Sequence, residues 1–351
     1  MRLQPQAPFL GGDGPHTNVV MSCRVRLARN IAGFPFVNRA NHTQRAEIAN
    51  LAKTVLLGIG ESERMIWVDL HQSPEQDRDL LVERHLISRQ LASSDHPRGV
   101  AISENESLSI MVNEEDHLRM QMILPGLQLE AVHERLNQLD DAVESRLDYA
   151  FAQRWGYLTA CPTNVGTGVR LSVMLHLPGL KLSKEIDRVR RAAKDLNLAV
   201  RGYYGEGSES AGDFYQISNQ ITLGKTEDEL RRDFHESMVP AIIDYEQQAR
   251  EMLLRRNRIR IEDRVHRALA ALRNARLLGV EEAMRHLSKL RLGIQLRLIN
   301  DVDVRAVNGL FLQVQEAHLR LHQQDDTLCE DGLLEARATL VRQALAGGSS
   351  T

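Results

Sequence analysis

An α+β fold, with a mostly antiparallel sheet flanked by helices and an all-α domain after it, is the architecture this 351-residue sequence predicts. Three observations lead there. From about residue 18 to 225, short strand-like apolar runs alternate with segments whose apolar residues recur every three or four positions. From Thr226 onward nearly the whole chain carries the helical period. The length exceeds that of a usual single domain, so two cores are expected, one over residues 1–240 and one over 241–351.

The elements follow in order. MSCRVRLARN, residues 21–30, reads as a strand in which alternate residues share a face, so Arg24 and Arg26 project together, about 6.5 to 7 Å apart. RAEIANLAKTVLLGIG reads as a helix, ERMIWVDL, RGVAIS and LSIMVN as strands, and QLEAVHERLNQLDDAVESRL as a second helix. The strand-like GYLTAC and VRLSVMLHL bracket the glycine-bearing NVGTGVR. KEIDRVRRAAKDL forms a third helix, and LAVRGYYG and DFYQISNQITLG complete the sheet. In TEDEL, Thr226 and Glu229 make a capping box that opens the helical region. Pro240 should kink or interrupt the first of its helices, Gly279 and LIND at 298–301 read as stops, and GGSST as a frayed tail. No repeat of solenoid period is present.

Composition narrows the function classes. With 42% hydrophobic residues, 26% charged and a net charge of -3, the chain is globular and neither disordered nor a bulk nucleic-acid binder. Cys23, Cys161 and Cys329 are odd in number and widely spaced, which suits neither a disulfide framework nor a C-x-x-C metal site and points to a reducing compartment. The N-terminus has no charged-then-apolar leader pattern, and no window reaches the roughly 18 apolar residues of a membrane span, so a cytoplasmic location is expected.

Like charges on one strand face repel unless something answers them. For Arg24 and Arg26 two answers are open: a solvated edge strand with salt bridges, or a cradle for polyphosphate, whose oxygens guanidinium forks match in pairs. Arg119 in NEEDHLRM, Arg170 in GTGVRLSVM and Arg201 in RGYYGEGSE lie in similar apolar or glycine-rich settings. A nucleoside triphosphate with Mg²⁺ is a ligand that makes their convergence favourable. Gly166 and Gly168 admit positive φ or close backbone approach. The Walker, Rossmann and Ser/Thr/Tyr protein-kinase motifs are all missing. Glu114, Glu115 and Asp116 at a strand end, and Glu206 and Glu209 in a glycine-rich loop, stand within a few residues of Arg119 and Arg201. Taken alone, such an acidic run is more often solvated surface.

Four stretches, CRVRLARNIAGFPF, NEEDHLRM, TACPTNVGTGVRLSVMLHLPGL and RGYYGEGSESAGDFYQISNQITLG, closely resemble in order the catalytic domain of the phosphagen (guanidino) kinases, and within them the bacterial protein-arginine kinases. The likeness covers roughly residues 18 to 225. It implies ATP held by Ser22, Cys23, Arg24, Val25 and Arg26, by His85 in VERHLIS, by Arg119, by Arg170, Leu171, Ser172, Val173 and Met174, and by Arg201, Gly202, Tyr203, Tyr204, Gly205 and Glu206. It places the two guanidinium-binding carboxylates at Glu115 and Glu206, and the active-site cysteine, beside the substrate nitrogen, at Cys161. Mg²⁺ is then carried mainly by the phosphates, with no protein metal site. Such carboxylates suit the chemistry, because a guanidinium with a pKa above 12 is a poor nucleophile until it is gripped, aimed and relieved of a proton. For Cys161 a structural role is as open as a chemical one. Leu171 stands where the family usually has alanine.

Small-molecule members of the family precede the arginine-cradle motif with a helical domain that closes over the substrate. Here 22 residues precede Cys23, an arrangement suited to an arginine carried on a protein. A kinase of free arginine and a non-catalytic nucleotide-dependent adaptor are the alternatives. The resemblance further implies a setting in stress response and protein quality control, an activator of the McsA kind, a Clp-type unfoldase or protease, and a homodimer. Between Arg250 and Arg297, twelve arginines and one lysine stand against five acidic residues. The helical spacing in IEDRVHRALAALRNARLL favours amphipathic helices with a solvated basic face over nucleic-acid binding. The family's phosphoarginine-binding pattern R-D-x-x-R-A is half kept: Leu333 and Leu334 replace its first two residues, while Arg337 and Ala338 remain.

Overall fold

The computed structural model describes residues 4, 6–59, 64–202, 211–220 and 222–346. Among these the strands are β1 (Val20–Arg29), β2 (Met65–Asp69), β3 (Gly99–Ser103), β4 (Leu108–Val112), β5 (Leu118–Pro125), β6 (Phe151–Ala152), β7 (Gly156–Tyr157), β8 (Val169–His176), β9 (Leu198–Arg201) and β10 (Phe214–Asn219). Eight of them form one sheet in the order β2-β3-β4-β5-β1-β8-β10-β9, and β6 and β7 pair separately. From β2 to β5 the sheet is an antiparallel meander, with Trp67 opposite Ala101, Ala101 opposite Ile110 and Ile110 opposite Met120. Strand β1 therefore lies inside the sheet, which removes the edge-strand reading of Arg24 and Arg26.

The helices are α1 (His42–Leu57), α2 (Glu75–Glu83), α3 (Arg89–Ser93), α4 (Leu129–Glu144), α5 (Pro178–Leu182), α6 (Ile186–Asp195), α7 (Glu227–Arg232), α8 (Val239–Asn274), α9 (Val280–Gln295), α10 (Val304–Gln313), α11 (Glu316–Gln323) and α12 (Glu330–Ala346). The chain forms two compact units that interleave along the sequence: Met1–Phe9, Cys23–Ser172 and Ser218–Ser237 in the first, and Leu10–Ser22, Val173–Ile217 and Met238–Thr351 in the second. Strands β1, β8 and β10 each give residues to both.

In the first unit, α1 opens on Asn41, whose side chain accepts from the Gln44 N–H while Gln44 reaches back to the Asn41 N–H, and it turns Ile48, Ala52 and Leu56 inward. Helix α4 buries Leu129, Val132, Leu136, Leu139 and Val143, the spacing its sequence period requires. The third arginine of the opening run is structural. Arg29 is 2% exposed and sends Nε (2.9 Å) and Nη2 (2.6 Å) to one oxygen of Asp140 on α4. Tyr149 Oη donates to the other oxygen at 2.9 Å, and the Tyr157 ring lies 3.6 Å from the guanidinium carbon. Burial raises the Asp140 carboxyl above its usual range, and Arg29 opposes that rise.

In the second unit, α8 buries Ile261, Val265, Ala268, Leu269 and Leu272, as an amphipathic helix should. It meets α9 closely: a Cβ on Gly293 would stand 2.2 Å from Val265 Cγ1. Two arginines of the basic stretch are internal and not on a solvated face. Arg250 pairs with Glu246 (2.6 Å) and donates to the carbonyls of Asn18 and His176. Arg291 donates to Thr17 O (2.6 Å), Asn308 Oδ1 (3.0 Å) and His176 Nδ1 (2.8 Å). Arg337 is likewise spent inside, with Nε on Val314 O and Nη1 on Leu278 O.

The expected boundaries mostly stand. The Thr226–Glu229 capping box opens α7, a π-turn at Asp233–Met238 follows, and Pro240 sits in the first turn of α8. Gly279 separates α8 from α9, and LIND separates α9 from α10. GYLTAC departs from expectation, since only Gly156–Tyr157 is strand, and α2, α3 and α5 appear where no period announced them. The GGSST tail lies outside the described residues.

Replacing Asp140 by Ala leaves Arg29 charged and unpaired inside the first unit, and equilibrium denaturation should register a loss of about 3 to 5 kcal/mol.

Candidate active site

Strands β5, β1, β8 and β10 are neighbours, and they carry Arg119, Arg24 with Arg26, Arg170 and Ser218 respectively. Arg26 sits at the middle of this set, 9% exposed, and its Nε is buried with no hydrogen-bond partner among the described residues. Burial, then the charges of Arg24, Arg119 and Arg170, push its pKa well below the usual arginine value, against a partial offset from Glu114. The Arg170 guanidinium is aimed by Ser218 Oγ (3.1 Å from Nη2), and Arg24 Nε lies 3.4 Å from Ser172 Oγ. Strand alternation turns Cys23, Val25, Leu171 and Val173 to the opposite, buried side, so these space the arginines. A cluster of four guanidiniums with one carboxylate, Glu114, among them fits a polyphosphate, which supplies charge and oxygens together.

His85 follows α2 in the left-handed conformation (φ 58°), with its ring edge-on to Phe9 at 5.2 Å. Gln121 Nε2 donates to its carbonyl at 2.6 Å. Burial, then Arg24 and Arg89, push its pKa down to about 4, so the imidazole is neutral beside the cationic cradle at physiological pH.

The loop between β4 and β5 divides its three carboxylates among distinct tasks. Glu114 is buried and accepts from Ser88 Oγ and from Arg119 Nη1, each at 2.5 Å. Burial would raise its pKa, but Arg119 and these hydrogen bonds outweigh that and hold it below the usual range. Asp116, its pKa raised by burial, accepts on one oxygen from both Asn30 Nδ2 and the Ala160 N–H, each at 2.7 Å. Asn30 Oδ1 in turn accepts from the His117 N–H at 2.9 Å. His117 Nδ1 accepts from the Ile31 N–H, so Nε2 carries the proton and donates to Pro35 O. This buried network fastens the end of β1, the loop and the segment leading to Cys161. Glu115 alone is left over: its N–H donates to Glu114, but its half-buried carboxylate makes no hydrogen bond or ion pair among the described residues.

Cys161 is partly exposed, its Sγ 3.0 Å from Thr163 Oγ1 at the start of a short 3₁₀ turn. Cys23 contrasts with it: buried, accepting from the Gln128 N–H, its thiol pushed up to about 11 by burial, it is inert. Gly166 and Gly168 both take positive φ (112° and 67°), and both are needed for backbone contact, since a Cβ would stand 2.6 Å from Thr222 O and 2.8 Å from Ala28 O. Arg201 ends β9 in the second unit, and Gly202 follows it. Tyr203, Tyr204, Gly205, Glu206 and Glu209 lie outside the described residues. Among the described residues no cluster of three or more His, Cys, Asp or Glu is arranged to hold a metal ion. Sequence reasoning missed the positioning roles of Ser88, Asn30, Glu114 and Asp116; the only signal was that NEEDH holds more acids than a two-carboxylate grip can use.

Two family models match. ATP:guanido phosphotransferase, C-terminal catalytic domain, covers residues 47–249, and the protein-arginine kinase McsB C-terminal domain covers 258–351. Among curated proteins, the protein-arginine kinase of Halothermothrix orenii is 45% identical over 312 residues, 89% of each chain. That of Moorella thermoacetica is 41% identical over 353 residues, 99% of each. Among solved structures, a duplicated taurocyamine kinase from Schistosoma mansoni with transition-state-analogue components bound is similar with a TM-score of 0.62 and 29% identity, over 67% of this chain. The match spans 34% of that duplicated chain's length. A lombricine kinase is similar with a TM-score of 0.59 and 30% identity over 68% of both chains.

Arg26→Gln should weaken ATP binding by about ten- to a hundredfold in calorimetric titration, the worth of hydrogen bonds to a charged group. His85 adds an acid sensitivity. Its folded pKa of about 4 lies below the ordinary 6.5, so the unfolded chain takes up a proton near 6.5 that the folded chain refuses until about 4. Stability from this group is complete above 6.5 and falls as pH drops toward 4, and His85→Asn, which tolerates the same backbone, should show a smaller drop in Tm between pH 7 and 5.

Proposed function

The chain belongs to the ATP:guanido phosphotransferase family, in its protein-arginine kinase branch, and from that premise we propose how its own residues carry out the transfer. It is an enzyme that moves a phosphoryl group from ATP to the guanidinium of arginine in proteins. The observation that carries the assignment of roles is Glu115, a carboxylate left unpaired in a loop whose flanking acids are both tied down.

Arg24, Arg26, Arg119, Arg170 and Arg201 hold the triphosphate, with Ser22 to Arg26, His85, Arg170 to Met174 and Arg201 to Glu206 forming the rest of the nucleotide site, where Cys23, Val25, Leu171 and Val173 act as buried spacers of the residues beside them. Glu114 fixes the angle of Arg119 without cancelling the cradle, since one carboxylate faces four guanidiniums. Glu115 and Glu206 grip the planar substrate cation and point one terminal nitrogen at the γ-phosphorus. As the N–P bond forms and the bond from the γ-phosphorus to the bridging oxygen breaks, a guanidinium proton passes to the carboxylate and ADP leaves. Charge on the transferring group meets fixed guanidiniums, worth on the order of 10³-fold in rate by comparison with arginine fingers. When bound, mainly through the phosphates, Mg²⁺ would supply further neutralisation of that charge. Cys161 lies on the segment that Asp116 holds, where its thiol orients the substrate nitrogen.

The wider setting is likewise our reading. We assign residues 1–240 to the catalytic domain and 241–351 to the helical one, and a cytoplasmic role in stress response and protein quality control. An activator of the McsA kind, a Clp-type unfoldase or protease, and a second copy of the chain are the partners that the family relation supports. No described helix is long and apolar enough to cross a membrane.

Glu115→Gln and Glu206→Gln should each lower kcat by about 10²- to 10⁴-fold with ATP affinity nearly unchanged. Mass spectrometry at mild pH should find an acid-labile phosphate on arginine of an unfolded protein incubated with ATP and the native chain. Phosphate found only on free arginine would reassign the substrate, and wild-type turnover in both variants would refute the roles of the glutamates.

A further inference from the structure

The turn that carries His85 is fastened from two sides. From the sheet, Gln121 Nε2 donates to His85 O at 2.6 Å and to Ser109 Oγ at 2.9 Å, and Ser109 Oγ donates to Leu86 O at 2.9 Å. Gln121 stands two residues from Arg119 on β5 and shares its face, so His85 is seated on the side of the sheet that carries the arginine cradle. The charge of Arg24 reaches the imidazole there. The second hold comes from the N-terminal residues, which the transfer reaction as described does not use. The Gln4 N–H donates to Glu106 Oε1 at 2.6 Å, and the Gln4 carbonyl accepts from Arg84 Nη2 at 3.0 Å. Arg84 and Glu106 are themselves a buried ion pair, 2.5 Å apart. Ala7 and Phe9 are buried, and the Phe9 ring meets the imidazole of His85 with centroids 5.2 Å apart and planes at 71°. N-terminal residues fray unless they are tied down. These are tied at one end to Arg84 and at the other to His85.

We propose that Phe9 is a positioning residue for the nucleotide: its ring fixes the plane of the His85 imidazole and so sets the affinity for ATP. The inference rests on the reading of His85 as part of the ATP site. Gln121 and Ser109 hold the backbone of the turn, and His85 itself is in the left-handed conformation (φ 58°), so what remains to be set is the direction of the side chain. Two torsions govern that direction, and packing selects among their wells. An aromatic neighbour at this distance and angle is in the favoured edge-to-face range and selects one of them. Burial, then Arg24 and Arg89, keep the imidazole neutral, and a neutral ring stacks on a nucleoside or hydrogen-bonds to it. Either contact depends on the orientation that Phe9 imposes.

A double-mutant cycle on the full chain tests this, read by the KM for ATP and by calorimetric titration with Mg-ATP. Phe9→Leu keeps an apolar side chain and loses the aromatic edge. It should weaken ATP binding about three- to tenfold, the worth of one aromatic pair, and leave kcat at saturating ATP and the KM for an arginine-bearing protein unchanged. In a His85→Ala background the same substitution should change ATP affinity no further, because the two residues act as one. A merely structural role for Phe9 gives the opposite pattern, a loss of kcat that persists when His85 is absent, and that result overturns the proposal. Native ATP affinity in Phe9→Leu, beside weakened binding in His85→Ala, overturns it as well and leaves the reading of the ATP site intact. Unchanged affinity in His85→Ala removes His85 from the ATP site, and the proposal falls with that reading. Calorimetry needs no turnover, so the cycle decides even where no phosphoryl transfer is observed. Should Phe9→Leu fail to fold, Phe9→Met, whose flexible side chain fills irregular space, takes its place in the same cycle.

Discussion

Mutual repulsion among Arg24, Arg26, Arg119 and Arg170 is the constraint around which the first unit is built. Four guanidiniums on three adjacent strands, one of them buried with a donor left unanswered, would open any ordinary sheet. The chain holds them mainly through the hydrogen-bonded ladder of the sheet and less through counter-charges. Strand β1 is interior, so its ladder resists splaying. A single carboxylate, Glu114, enters the cluster, and its second partner, Ser88, keeps it from being drawn wholly onto Arg119. The remaining excess of positive charge is what suits this cluster to the triphosphate that we propose it holds.

Elsewhere the same residue type is treated in the opposite way. Arg29 has Asp140 and two tyrosines, Arg250 has Glu246, and Arg291 and Arg337 are saturated by carbonyls or side-chain acceptors. Each is buried and each is answered from within the chain. The comparison gives arginine burial a working distinction: a guanidinium whose donors are consumed internally is a brace, and one whose donors are left over waits for a ligand. Arg337, one of the two residues of the R-D-x-x-R-A pattern that remain, is such a brace, tying α12 to the carbonyls of Val314 and Leu278.

Much of this was legible in the sequence, for identifiable reasons. Strands such as VRLSVMLHL and helices such as that from Leu129 to Glu144 carry uninterrupted periods, and the Thr226–Glu229 box is a local rule that tertiary contacts had no cause to override. The pairing of Arg24 with Arg26 followed from strand alternation alone. What the sequence did not disclose depends on side chains distant along the chain. That Arg29 is a brace, and Arg26 is not, is decided by Asp140 more than a hundred residues away, and nothing in RVRLAR separates the two. The sorting of Glu114, Glu115 and Asp116 is decided by Ser88, Asn30 and Ala160, none of which has a motif. Short helices such as α2 and α3 fall below the length at which periodicity is readable, and GYLTAC kept its apolar look while giving up its ladder to serve as the support of a loop.

The shared oxygen of Asp116 also couples two parts of the chain that lie far apart in sequence. By accepting from both Asn30 and Ala160, it sets the gap between the strand that carries the arginine cradle and the segment that carries Cys161. Loss of that carboxylate would release both donors together, so the end of β1 and the segment before Cys161 depend on one atom for their spacing.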